Sequence, residues 1–138
     1  MHSAIARLPP FAPMPTSPAF VDHCLELIGG FGVARARRMF GGHGLYLDDL
    51  FIALIAGEVL YLKTDALSRV RFEAAGCAPF RYTTRHGEGV MSYHAAPEEA
   101  VESPALMAPW VRLAQEAALR SRQSTPQPRA AYRKKAGP

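Results

Sequence analysis

The chain has 138 residues, of which 49% are hydrophobic, 20% charged and 9% aromatic, with a formal net charge of +4; this is the composition of one globular domain. Its densest apolar run, Phe51 to Ala56, is strand-sized and far short of the roughly 20 residues that cross a bilayer. Five prolines and a single cation, Arg7, among the first 18 residues exclude a secretory signal, and two cysteines, Cys24 and Cys77, make no disulfide framework, so the expectation is a small cytoplasmic protein with no membrane partner.

The charge is unevenly placed. All 12 acidic residues lie between Asp22 and Glu116, where they outnumber the nine basic ones. From Arg120 onward come six basic residues and no acid, among them Arg129, Arg133, Lys134 and Lys135. A flexible basic arm of this kind holds phosphates without sequence preference and in a salt-dependent way, so these four residues are candidate nucleic-acid contacts. The alternative is a solvated tail that only aids solubility.

Residues 1–17 form a head with Pro9, Pro10, Pro13 and Pro15 among small residues, too poor in buriable surface to offset its chain entropy. Residues 123–138, with Pro126 and Pro128, read the same way, which leaves residues 18–122 as the folded domain. Ser17-Pro18 is an N-cap with proline at the first helical position. Behind it Phe20, Val21, Cys24, Leu25 and Ile28 repeat at helical spacing until Gly29-Gly30. After a basic stretch (Arg35, Arg37, Arg38), the glycines of Met39-Phe40-Gly41-Gly42-His43-Gly44-Leu45-Tyr46-Leu47 suit a bulge or bend between strands. Asp48-Asp49 is a turn. Phe51 to Ala56 is apolar throughout, as a central strand covered on both sides would be, and Gly57-Glu58 is a two-residue hairpin turn into Val59 to Lys63.

Thr64 or Asp65 caps a second predicted helix, Ala66 to Ala75, that Gly76 ends; Ala66, Leu67, Val70 and Ala74 share its apolar face and Phe72 falls off it. Phe80 to Thr83 and Val90 to Tyr93 read as a second hairpin. Ser103-Pro104 opens a last helix with Leu106, Met107, Trp110, Val111 and Ala114 on its stripe, and Pro109 predicts a kink or restart. The order is α-β-β-β-α-β-β-α. Strands grouped in hairpins indicate an α+β domain, one antiparallel sheet with helices on a face.

Chemistry is sparse in these residues. None of the five histidines has metal-ligand spacing to another histidine or to a cysteine, and there is no C-x-x-C or H-E-x-x-H. No serine sits in a nucleophile elbow, nothing visible lowers the pKa of Cys77, and both cysteines read as small, partly buried apolar residues. Gly41 to Gly44 lacks the P-loop pattern, although a cradle there with Arg37 and Arg38 nearby is an alternative to a plain bend. Strands follow the first helix, which argues against helix-turn-helix, and the aromatics do not form the recognition-motif pattern of an RNA-binding sheet. The expectation is no enzyme, no catalytic residue, no metal and no cofactor.

The run Arg38-Met39-Phe40-Gly41-Gly42-His43-Gly44-Leu45-Tyr46-Leu47 resembles the signature of the TfoX (Sxy) N-terminal domain family, with Met39, Phe40, Gly41, Gly42, Gly44 and Tyr46 as motif positions. Phe51 to Ala56, Leu60 to Asp65, Phe72 to Gly76, Pro79-Phe80 and Met91 to Tyr93 follow in the family's order, so the resemblance covers roughly Phe20 to Leu119. It implies a two-layer α+β domain with a five-stranded antiparallel sheet, similar to secretion-chaperone-like folds, and it brings neither catalytic residues nor a cofactor. It also implies a regulatory role, since the family's namesakes control natural competence with a cyclic-AMP receptor protein at competence-gene promoters. Two-domain members continue into a C-terminal domain; here the resemblance implies a stand-alone N-terminal domain with the basic tail in that place. The expected partner is a transcription regulator of that kind or a second copy of the chain, docked through an apolar edge or face of the sheet, with nonspecific DNA attraction from the tail. The alternative is a small-molecule-binding domain or enzyme with a pocket near Gly41 to Gly44, lined by Tyr46, His43 and Arg38.

Overall fold

The structure is a computed structural model, and it describes residues 16–39, 41–84 and 86–124. Helix α1 spans Pro18–Ile28 and a 3-10 turn follows over Gly29–Phe31. Four strands come next: β1 (Ala34–Met39), β2 (Gly42–Leu47), β3 (Leu50–Ala56) and β4 (Val59–Lys63). A short α2 (Arg69–Ala74) leads to β5 (Pro79–Thr84) and β6 (Gly87–Ala95). A 3-10 segment over Glu98–Glu102 then precedes α3 (Pro104–Ser124), which continues past the boundary expected at Arg122.

The strands make one antiparallel sheet in the order β1-β2-β3-β4-β6-β5. It has six strands rather than the expected five. The added one is β1, the basic stretch, an edge strand whose half-buried inward residues are only Ala34 and Ala36. Alternation of alanine with arginine carries little apolar signal, so period-2 reading passes over it.

All three helices lie on one face: α1 against β1 and β2, α3 across β3 and β4, α2 beside β6. Val21, Cys24, Leu27 and Ile28 of α1 and Met107, Val111, Ala114 and Ala118 of α3 close over Leu45, Ile55, Leu60 and Leu62 of the sheet. The Ser17 hydroxyl accepts from the Phe20 N–H at 3.1 Å, the cap that the Ser-Pro pair announces. Ser17 is itself tied to the β3–β4 turn, its N–H donating to Glu58 at 2.7 Å.

A bulge in β3 sets the two faces apart. Leu45 pairs with Ala53 and Tyr46 with Phe51, leaving Ile52 as the extra residue. Ile52 and Ala53 are both fully buried under the helices, while Phe51 turns to the other face and stacks on Tyr46 at 5.0 Å. The apolar run therefore does not mean that helices cover β3 on both sides. No described helix packs on its second face, and the residues there cover one another.

Two helical expectations are corrected. Helix α2 starts at Arg69, after a turn in which Asp65 Oδ1 accepts from the N–H groups of Leu67 and Ser68. Its buried residue is Phe72, at 0% exposure, whereas Leu67 and Val70 are 67% and 57% exposed. Phe72 packs edge-on against Trp110 of α3, ring centres 4.9 Å apart, and this tertiary contact outweighs the local stripe. Gly76, at φ 80°, ends the helix as expected, with the Cys77 N–H returning to the Phe72 carbonyl. Helix α3 does not restart at Pro109 but runs as one helix over Pro104–Ser124. Pro109 and Ala105 both face solvent, so the carbonyl that the missing N–H leaves is open to water.

Candidate functional site

The glycine motif is a tight β1–β2 hairpin rather than a phosphate loop. Gly41 takes φ 78° at the turn, and the chain re-enters the sheet at Gly42. A Cβ on Gly42 would collide with the Ile55 carbonyl of β3. A Cβ on Gly44 would meet Met39 Cε at 2.7 Å and Phe51 Cε1 at 2.8 Å. Met39, Gly44 and Tyr46 thus belong together on the sheet's outer face, where close approach is needed. Phe40 lies outside the described residues.

Beside this hairpin, on the helix side, Thr16, Pro18, Val21, Asp22, Arg38 and His43 line an open cleft of about 310 Å³. Arg38 and His43 are cross-strand partners, and His43 Nδ1 is a buried nitrogen with no partner among the described residues. The structure brings Arg38 and His43 together as the pocket alternative expects. Tyr46 is on the opposite face, because positions 43 and 46 of one strand differ in parity, so it is removed from that pocket.

A second polar group was not visible in the linear sequence. Thr64 Oγ1 and His94 Nδ1 share a 3.0 Å hydrogen bond in the core, and His94 Nε2 lies 3.6 Å from a Glu73 carboxylate oxygen, too far for a hydrogen bond. Burial lowers the His94 pKa below its ordinary value, outweighing the opposite pull of Glu73. The hydroxyl–imidazole–carboxylate order has the look of a nucleophilic triad. Yet Thr64 is 2% and His94 3% exposed, so no substrate carbonyl reaches the hydroxyl. Its signal in sequence was slight: a threonine just past the end of one strand and a histidine in another, joined only by the β4–β6 register.

Asp65 forms a two-pronged ion pair with Arg120, Nε donating at 2.7 Å and Nη2 at 3.0 Å. This pair, with the backbone bonds from Ser68, holds the carboxyl well below the usual carboxylate range. The cysteines are buried, and burial pushes the Cys24 thiol up to about 12 and the Cys77 thiol in the same direction. Among the described residues no group of three or more His, Cys, Asp or Glu side chains could hold a metal ion, and no helix is long and apolar enough to cross a membrane. The tail candidates Arg129, Arg133, Lys134 and Lys135 lie outside the described residues.

The outer face of the sheet carries the aromatic residues of the strands. Tyr46, Phe51 and Tyr93 form one group, with ring centres 5.0 and 6.0 Å apart, and Tyr61, Phe80 and Tyr82 another, at 4.8 and 6.5 Å. The Arg35 guanidinium sits 5.2 Å from the Tyr46 ring centre and the Lys63 ammonium 5.1 Å from that of Tyr93. Sequence reading missed the grouping, although Leu45-Tyr46-Leu47 and Leu60-Tyr61-Leu62 each place a tyrosine opposite two inward leucines.

These features define a small α+β domain in which helices cover one side of an antiparallel sheet around a glycine-built hairpin. The TfoX N-terminal domain family matches residues 26–118, and the chain belongs to that family. It is also similar to a protein of Aliivibrio fischeri (strain ATCC 700601 / ES114) named DNA transformation protein TfoX1, with 29% identity over 95 residues. That similarity covers 69% of this chain and 46% of the relative, so the chain spans about half the length of the curated protein it matches.

Proposed function

We propose that this chain is a non-enzymatic regulatory domain of the competence type, acting in the cytoplasm by contact with a transcription regulator such as a cyclic-AMP receptor protein. The observation that carries this reading is membership of the TfoX N-terminal domain family over residues 26–118, joined to a relative whose name refers to DNA transformation. Thr64 and His94 are buried, so that hydroxyl is closed to substrate. The basic residues Arg129, Arg133, Lys134 and Lys135 add weak, sequence-independent attraction to DNA. Calorimetric titration into purified cyclic-AMP receptor protein, with and without cyclic AMP, tests the partner. Saturable binding is expected, and its absence under both conditions removes this partner. For the tail, replacing its four cations by glutamine should abolish salt-sensitive binding to duplex DNA; unchanged binding would end that part of the proposal.

A second reading rests on the cleft beside the glycine hairpin. The unpartnered His43 Nδ1 and the neighbouring Arg38 are suited to a small anionic ligand. A thermal-shift screen of small carboxylates and phosphates decides it: a stabilising hit lost in His43→Ala supports the pocket, and a flat screen rejects it.

A further inference from the structure

We infer that the outer face of the sheet binds single-stranded nucleic acid, with bases stacked on its tyrosine and phenylalanine rings. This goes beyond the regulatory reading and does not depend on it. The segregation of residue types is the starting point. Most helix-facing positions of the strands are aliphatic, Leu45, Ile55, Leu60 and Leu62 among them, with Arg38, His43 and His94 the polar exceptions, whereas the rings described above gather on the uncovered side. Tyr93 is buried at 4% exposure beneath its neighbours, but Tyr46, Phe51, Tyr61 and Phe80 are only half-buried and Tyr82 is 41% exposed, so flat apolar surface remains open at these five rings on a face that no described helix covers.

Charge selects the occupant. Register places Arg35 and Arg37 on this face, opposite Tyr46 and Gly44, and Lys63 beside Tyr93. The six strands contain one acidic residue, Glu88. Asp49, in the β2–β3 turn, pairs with Arg35 at 2.9 Å, and no carboxylate of the described residues lies within 4.0 Å of Lys63. Burial lowers the Lys63 pKa and outweighs the opposite pull of Asp65, so this ammonium still gains from an anion brought to it. A second copy docked face to face would bring like charges together with almost no acid to pair them. A nucleic-acid strand supplies phosphates for Arg37 and Lys63 and flat bases for the rings. Duplex DNA keeps its bases stacked inside and offers only the first.

The test is fluorescence anisotropy of a labelled oligo(dT) of about 20 nucleotides, titrated with the full chain beside the matching duplex. The tail cations are replaced by glutamine in every sample, so that the face is read without the tail. Single strand should bind at least about tenfold tighter than duplex. Tyr46→Leu and Tyr61→Leu keep apolar bulk while removing the ring, and each should weaken single-strand binding about tenfold. Tyr46→Phe should keep it. Lys63→Ala should lower affinity and flatten the salt dependence. Unchanged circular dichroism and melting temperature in the leucine variants assign a loss to the face rather than to unfolding. Three results overturn the inference: equal affinity for single strand and duplex, leucine variants that bind like the parent, or a dimer in sedimentation that Tyr46→Leu and Tyr61→Leu dissociate. Failure of these arms leaves binding to the receptor protein untouched, and the reverse also holds.

Discussion

The two sides of the sheet obey different physics. The helix-covered side is aliphatic and closed at its centre, with Leu45, Ile52, Ala53, Leu60 and Leu62 at 2% exposure or less. The other side is aromatic, partly wet and topped by cations, each ring covering the next. One bulge, at Ile52, separates them by sending two neighbouring residues inward and Phe51 outward. The lesson is that apolar content along a strand does not say which side is core. On the covered side surface is lost to water for stability; on the open side rings are held ready for contact.

Substitutions sharpen this contrast. The largest loss is expected from Phe72→Ala beneath α3, about 3–5 kcal/mol in urea unfolding, because the cavity lies where Trp110 and His94 cannot close it. Leu67→Ala, in the turn just before α2, should cost less than about 0.5 kcal/mol, confirming that the buried face runs through Phe72. Gly44→Ala comes next, about 1–3 kcal/mol, since its methyl would press Met39 and Phe51 apart on the open side. Tyr82→Ser should fall within about 0.5 kcal/mol of the parent by the same measurement; a large loss there would show the open face to be core after all.

Acid supplies a graded test. His94 has a lowered pKa in the fold, so below about pH 6.5 the unfolded chain takes up a proton that the native state refuses. Stability should therefore decline as pH falls below that value, and His94→Gln should flatten the decline. Asp65 acts lower: its depressed pKa contributes stability above the ordinary value of 3.8 that is lost as pH falls further. Asp65→Asn should remove that second step and weaken the tie between Arg120 of α3 and the turn before α2. Melting temperature across an acid series reads both.

Much of the architecture was legible because its signals are local. Ser17-Pro18, the Gly57-Glu58 turn and Gly76 each act within a few residues, and each sits in the structure where the sequence places it. Strand β1 was not legible, because its inward side chains are two alanines. The face of α2 was misread because six residues are too few for a helical stripe to outweigh one tertiary contact. The Thr64–His94 pair and the aromatic face needed strand register, which no single segment contains. The cleft was half legible: Arg38 and His43 are brought together, and parity alone sends Tyr46 elsewhere.

The strand order has a consequence for synthesis. Strand β4 ends at Lys63, but the neighbour that completes its far edge begins only at Gly87. As the polypeptide leaves the ribosome, β1 to β4 can pair in succession while one margin of the growing sheet stays bare. Until the later hairpin arrives and slots β6 into that gap, Val59–Lys63 is the stretch most open to capture by another nascent chain, and the place where a holdase would do the most good.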